Sequence, residues 1–238
     1  MTRPTSHLIR SGKRMVRHAF STRTLVLIDR ANGRRASRLA DPQAATAGEK
    51  VGYQGGDRMK TYVALFRGLN VGGNSILTMK ELVAQLENLG LRNVRTHIQS
   101  GNAVFQSEEE DAPMLSNKIR AAIKKSRGFE PQVLLLEPEE IENAVESNPF
   151  PEAESEPKTL HAHFLASTPK NPDLDAFESI KSERERFVLK DGVFYLHAPD
   201  GIGRSKLAAN AEKLLGVSAT ARNWRTVRKL MEMAKQRG

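Results

Sequence analysis

The sequence predicts an α+β protein made of two similar halves, each with the ferredoxin-like split βαβ order of elements. Three observations support this prediction. From Met59 onward, short β-branched and aromatic runs alternate with segments of helical periodicity. The alternation follows the order β-α-β-β-α-β and then partly repeats. The first 58 residues differ in composition and show no such alternation.

The first half is predicted to span residues 59–137. Its four strands are predicted at Thr61–Phe66, Val94–Gln99, Asn102–Gln106 and Gln132–Glu137. Its two helices are each bounded by a capping residue and a glycine, namely Thr78 to Gly90 and Asp111 to Gly128. In a split βαβ sheet the first and third strands are antiparallel neighbours, so Phe66 is expected beside Asn102.

The second half is predicted to span residues 138–238. Its predicted elements are a helix Pro138–Glu146, a strand Thr159–Ala166, a helix Asp173–Lys181, a hairpin turning at Asp191-Gly192, a helix Ser205–Leu215 and a last helix from about Arg222 to Gln236. A helix is therefore expected where a fourth strand would lie.

Residues 1–58 are expected to be a disordered basic leader. They carry 12 of the 37 Lys and Arg residues but only 4 of the 28 Asp and Glu residues, with one short apolar run. Three explanations remain open. The first is that translation begins at Met59, since glycine codons at Gly55-Gly56 can spell the ribosome-binding sequence GGAGGU. The second is that the segment is a nucleic-acid-binding arm, and the third is that it is an organellar transit peptide.

Composition narrows the class of protein. The chain has no cysteine, so disulfides, cysteine nucleophiles and thiolate metal sites are excluded. No apolar run is long enough to suggest a membrane span, and a cytoplasmic location is expected. Residues 59–203 hold 16 basic and 22 acidic residues, whereas 204–238 hold 9 and 2. This opposite charge favours attraction between these two segments.

The Gly/Asn-rich run after the first strand is the first candidate binding element. Residues 68–75 read G-x-x-x-x-G-N-S, with Asn74 where a P-loop has lysine, so NTP hydrolysis is not predicted. The backbone N–H groups of the run could still bind an anion, or the glycines could only permit a turn.

The predicted topology places several candidate binding residues close together at one end of the first sheet. The predicted anion-binding residues are Arg67, Asn70, Gly72, Gly73, Ser100 and Asn102 on one wall and Lys206 and Arg222 on the other. The alternative is that these residues only cap turns and helices. His161 and His163 share one face of a strand but lack a third ligand, so no metal and no cofactor are predicted.

Four ordered motifs, RGLNVGG (67–73), IQSGN (98–102), GRSKL (203–207) and TARNWRTVRKL (220–230), resemble the domain of unknown function 1697 family. The resemblance covers about Met59 to Lys235. It implies an α+β fold with two similar halves and a start just before the first strand. Many members carry lysine where this chain has Asn74, and the asparagine weakens any phosphate contact there.

Three hypotheses for function follow. The first is binding of an anionic or phosphate-bearing small molecule between the halves. The second is RNA binding by the first half, whose Tyr62, Phe66 and Phe105 lie on the strands that an RRM uses to stack bases, although the RNP1 pattern is absent. The third is a structural or interaction module without catalysis.

Overall fold

The computed structural model describes residues 59–70, 76–99 and 101–236. They form a mixed α/β fold whose described part contains two four-stranded antiparallel sheets and six α-helices. The expectation of a disordered basic leader over 1–58 falls outside the described residues. None of the helices in these ranges is both long and apolar enough to cross a bilayer.

The first sheet has the strand order β2-β3-β1-β4. Its elements are β1 Lys60–Arg67, α1 Met79–Asn88, β2 Arg92–Thr96, β3 Asn102–Ser107, α2 Ala112–Arg127 and β4 Gln132–Leu136. The predicted antiparallel pairing of the first and third strands is confirmed, with Leu65 opposite Asn102. The Phe66 N–H donates to the Gly101 carbonyl oxygen at 2.8 Å. A Cβ on Gly101 would lie 2.8 Å from the Phe66 Cβ, so this corner requires glycine.

The second sheet has the corresponding strand order β6-β7-β5-β8. Its elements are α3 Pro138–Glu146, a 3-10 helix Pro151–Ser155, β5 Leu160–Leu165, α4 Leu174–Ile180, β6 Arg186–Lys190, β7 Val193–His197, a 3-10 helix Ile202–Arg204, α5 Lys206–Leu215, β8 Ala219–Asn223 and α6 Trp224–Lys235. The hairpin turn is as predicted, because Asp191 and Gly192 both adopt positive φ, 50° and 78°.

The prediction of a helix in place of the fourth strand is wrong. Residues 219–223 form β8, which pairs antiparallel with β5, and α6 begins only at Trp224. The Asn223 side chain caps α6 by accepting from the Thr226 N–H at 2.9 Å. The run is only five residues long and rich in alanine, so its strand conformation comes from pairing with β5 and not from local propensity.

One buried cluster joins the two sheets. It contains residues of both sheets together with α3 and α6, among them Val63, Leu65, Phe164, Tyr195 and Trp224. Trp224 is 1% exposed, as its position on the apolar face of the last helix predicts. Two further clusters pack α1 and α2 against the first sheet and α4 and α5 against the second. The two sheets are therefore linked through the shared cluster.

Candidate functional site

A groove between the two sheets contains two of the predicted binding residues. It has a volume of about 260 Å³, and its lining includes Arg67, His163, Ala211, Glu212, Ala219 and Arg222. Arg67 is the last residue of β1 in the first sheet, whereas the others belong to β5, α5 and β8. We call this feature the Arg67 groove.

Arg67 is held by one of its three guanidinium nitrogens. Its Nη1 lies 2.5 Å from the Glu212 Oε1, 3.2 Å from the Ala219 carbonyl oxygen and 3.3 Å from the Gln132 Oε1. Within the described ranges, Nη2 and Nε of Arg67 make no hydrogen bond, and the side chain is 45% exposed. The bond to Glu212 raises the pKa of Arg67. The guanidinium is thus fixed in place with one edge available.

Glu212 connects α5 to both sheets. Its Oε1 accepts from Arg67 and also from the Ala219 N–H at 2.8 Å. The hydrogen bond from Arg67, opposed by partial burial, lowers the pKa of Glu212. Glu212 is therefore ionised at neutral pH and sets the position of Arg67.

His163 is the buried polar group of this groove. It is 5% exposed, lies edge-on to the Phe194 ring with centroids 5.5 Å apart, and has no hydrogen-bond partner for Nε2 in the described residues. Burial lowers the pKa of His163 to about 4, with Glu212 acting in the opposite direction. His163 is therefore a neutral imidazole at pH 7, with one ring nitrogen unsatisfied.

Arg222 and Asn102, predicted on opposite walls, are in direct contact. The Arg222 Nε donates to the Asn102 Oδ1 at 2.5 Å, and Nη2 donates to the carbonyl oxygens of Phe66 at 2.7 Å and Gly101 at 3.1 Å. Asn102 is fully buried and also donates from Nδ2 to the His97 carbonyl oxygen. Desolvation lowers the pKa of Arg222 to about 10, so it stays charged at neutral pH. These bonds tie β8 to the turn at the end of the first sheet.

Asn70 holds the two ends of the Gly-rich loop together. It adopts φ 56°, its Oδ1 accepts from the Leu77 N–H at 2.8 Å, and its Nδ2 donates to the carbonyl oxygens of Leu77 and Gln99. The predicted residues Gly72, Gly73 and Ser100 lie outside the described residues. Asn70 therefore fixes the base of the loop, and it is not among the residues that line the Arg67 groove.

Lys206 is not brought to the Arg67 groove. It is the exposed first residue of α5 and lines a separate depression of about 310 Å³ with Lys181, Glu185 and Arg204. At 100° per residue, Lys206 lies on a different side of α5 from Ala211 and Glu212. The predicted second wall is consequently formed by Arg222, His163 and Glu212.

The aromatic residues of the RNA-binding hypothesis are inaccessible. Tyr62, Phe66 and Phe105 are at most 1% exposed and belong to the cluster under α1 and α2. An RRM needs its aromatics on an open sheet face. Stacking of bases on this sheet therefore has no physical basis.

The fold and the groove define a two-sheet α/β protein whose polar site is built where the sheets meet. Residues 59–195 match the family model described as Protein of unknown function (DUF1697), and the chain belongs to this family. It is similar to the solved structure of a conserved bacterial protein from Streptococcus pneumoniae, with 27% identity and a TM-score of 0.58 over 75% of this chain and 99% of that one. No curated protein matches the sequence.

Sequence reasoning missed the roles of two groove residues. His163 was singled out only as half of a weak metal pair, and the described residues contain no group of three or more potential metal ligands. Glu212 carries no sequence signal, because it meets Arg67 across 145 positions of the chain. The one signal in the sequence is that His161 and His163 are two positions apart on a strand, which places both side chains on the same face.

Proposed function

We propose that the protein binds an anionic or phosphate-bearing small molecule in the Arg67 groove. The groove lies between two halves, residues 59–137 and 138–238, which we propose to be ferredoxin-like because both sheets have corresponding strand orders. The observation that carries the proposal is the available edge of Arg67. Nε and Nη2 form the side of a guanidinium that binds a carboxylate or phosphate through two parallel hydrogen bonds.

Preorganisation supports this role. Glu212, Ala219 and Gln132 already hold Arg67 through Nη1, so a ligand need not order a flexible side chain. Ordering a long side chain on binding costs about 0.5–1.5 kcal/mol. The arginine is thus positioned before the ligand arrives.

His163 supplies a second contact point inside the groove. A buried polar atom without a partner is uncommon in native proteins, and a bound polar group would satisfy it. Because the imidazole is neutral at pH 7, its Nε2 can donate or accept, depending on the tautomer. We therefore expect a ligand with an anionic end at Arg67 and a polar atom at His163.

Charge and size restrict the ligand further. The groove is lined by Arg67 and Arg222 against Glu212, an excess of one positive charge. Its volume of about 260 Å³ is near the lower limit of about 300 Å³ for small-molecule sites. Small phosphate esters and small carboxylic acids fit these limits better than nucleotides or polymers.

The absence of cysteine is compatible with our proposal of a cytoplasmic location.

The proposal is tested by calorimetric titration of the full chain with inorganic phosphate and with glycerol phosphate, using glycerol as the neutral control. We expect saturable binding of the two anions and none of glycerol. Arg67→Ala should weaken binding by about tenfold or more, since hydrogen bonds to charged groups contribute about 1.5–3 kcal/mol. Arg67→Lys should retain only part of the affinity for the anions, because lysine keeps the charge but lacks the two parallel N–H donors of the guanidinium group.

Lys206→Ala is the matched control, because it removes a cation from a different depression. Its affinity for phosphate should equal that of the parent protein. Equal weakening in the Lys206 and Arg67 variants would indicate a non-specific charge effect. No binding of either anion would favour the structural or interaction module over a ligand-binding protein.

A further inference from the structure

A second depression, at the start of α6, shares no lining residue with the Arg67 groove. Its volume is about 310 Å³, and its wall includes Pro157, Trp224, Arg225, Arg228 and Lys229. Four of these residues come from α6, and the remaining wall comes from the segment after α3. We call it the Trp224 depression.

Trp224 provides an unsatisfied donor at this place. The residue is 1% exposed, yet its indole Nε1 has no hydrogen-bond partner in the described part of the chain. The indole nitrogen can only donate. A group that satisfies it must therefore present an acceptor.

Arg225 is the second available donor. Its neighbours on the helix are paired, Arg228 with Glu154 at 2.8 Å and Lys229 with Glu232 at 3.2 Å. Among the described residues, Arg225 makes neither an ion pair nor a hydrogen bond, and it is exposed. It is also the second residue of α6, where the positive end of the helix dipole adds to its charge.

The charges of the depression specify the class of ligand. Arg225, Arg228 and Lys229 face Glu154 and Glu232, so the net charge is +1. A single carboxylate balances this charge, and the two glutamates would repel an extended polyanion. Pro157 and the aliphatic parts of the Arg228 and Lys229 side chains add apolar surface for the body of the ligand.

We propose that the Trp224 depression binds a small organic monocarboxylate with an apolar body, whose carboxylate accepts from the Trp224 Nε1–H and the Arg225 guanidinium. This site is independent of the proposed phosphate site in the Arg67 groove.

Trp224 is the one tryptophan in the sequence, so its fluorescence reports on this site without labelling. The full chain is titrated with sodium benzoate and, as the neutral analogue, with benzyl alcohol, and binding is confirmed by calorimetry. We expect a saturable change with benzoate and none, or at least tenfold weaker binding, with benzyl alcohol. Arg225→Gln, an exposed substitution, should weaken benzoate binding by about tenfold or more.

Arg67→Ala is the matched control, and the affinity for benzoate that Trp224 fluorescence reports should be unchanged in this variant. That result, with phosphate binding lost in the same variant, separates the two sites. Trp224→Phe removes the donor and keeps a ring, so calorimetry should show weaker benzoate binding in a variant that remains folded by circular dichroism. An absent fluorescence change, equal binding of benzyl alcohol, or unchanged affinity in Arg225→Gln would overturn the proposal.

Discussion

Arg222 and Arg67 lie in the same groove but have different environments. Arg222 donates to the side chain of Asn102 and to backbone oxygens of Phe66 and Gly101 at the first-sheet corner. Arg67 uses only Nη1, is 45% exposed and keeps one edge of its guanidinium available. An arginine that the sequence predicts to bind a ligand can instead link two parts of the fold. The hydrogen bonds of its guanidinium group distinguish the linking role from the binding role.

The largest effect is expected for Arg222→Ala. Its loss would leave buried oxygens at Asn102, Phe66 and Gly101 without this donor and would separate β8 from the first sheet. We expect the free energy of unfolding to fall by about 3–5 kcal/mol, because each buried oxygen that loses its donor costs about 1–3 kcal/mol. Urea denaturation measures this change. Arg67→Ala should lower the free energy of unfolding by less than about 1 kcal/mol, as for an exposed ion pair. Comparable losses in the two variants would contradict the different roles of Arg222 and Arg67.

The buried histidine predicts how stability depends on pH. The pKa of His163 is about 4 in the folded chain, against about 6.5 for an ordinary histidine, so the unfolded chain binds the proton more readily. Stability is therefore fully present above pH 6.5 and falls as the pH is lowered from 6.5 towards 4, by up to about 3 kcal/mol. Burial also lowers the pKa of His161, which acts in the same direction.

His163→Gln should reduce this pH dependence but not abolish it, because His161 remains. Thermal or urea unfolding at several pH values between 4 and 7 gives the slope of the free energy of unfolding against pH for the parent protein and for the variant. Identical slopes in the parent and the variant would show that His163 is not the buried neutral group described above.

Asn70 tests whether the loop base is part of the groove or only adjacent to it. Asn70→Gly keeps the positive φ but removes the bonds to Leu77 and Gln99, and it should cost about 1–2 kcal/mol of stability. Asn70→Ala should cost more, since alanine is disfavoured at φ 56°. If phosphate affinity stays unchanged in Asn70→Gly, the loop does not contribute to the ligand site.

The smallest effect is expected for Lys206→Ala. An exposed lysine outside the Arg67 groove should change the free energy of unfolding by less than about 0.5 kcal/mol. Chemical denaturation and phosphate titration should both match the parent protein. A loss of phosphate affinity as large as that of Arg67→Ala would indicate a non-specific charge effect and would contradict a site defined by Arg67.

Local patterns in the sequence predicted most of the first half. The order of the predicted elements pairs the first and third strands, and the structure confirms this pairing, with Leu65 opposite Asn102. The same reasoning did not recover β8, whose conformation depends on β5, more than fifty positions earlier. Short strands held by a distant partner leave little trace in local sequence.

The site was predictable only in part, for a related reason. Arg67, Asn102 and Arg222 are polar residues at element ends. Arg222 contacts Asn102 and lines the same groove as Arg67. The grouping with Lys206 depends on how the two halves face each other, and the packing of α5 through Leu207, Ala211 and Leu215 fixes the side of α5 on which Lys206 lies. Glu212 and His163 acquire their roles solely from that packing, so no local motif identifies them.

Arg67 presents an available guanidinium edge whereas Arg222 does not, and this difference between the two arginines can be measured. It is tested most directly by following the arginine Nε–H signals in a ¹⁵N-labelled full chain during titration with inorganic phosphate, with assignments from Arg67→Lys and Arg222→Lys. We expect a saturable shift of the Arg67 signal, while the signal of the Arg222 Nε–H, which is bonded to Asn102, stays in place. A static Arg67 signal, or equal shifts of both signals, would contradict it.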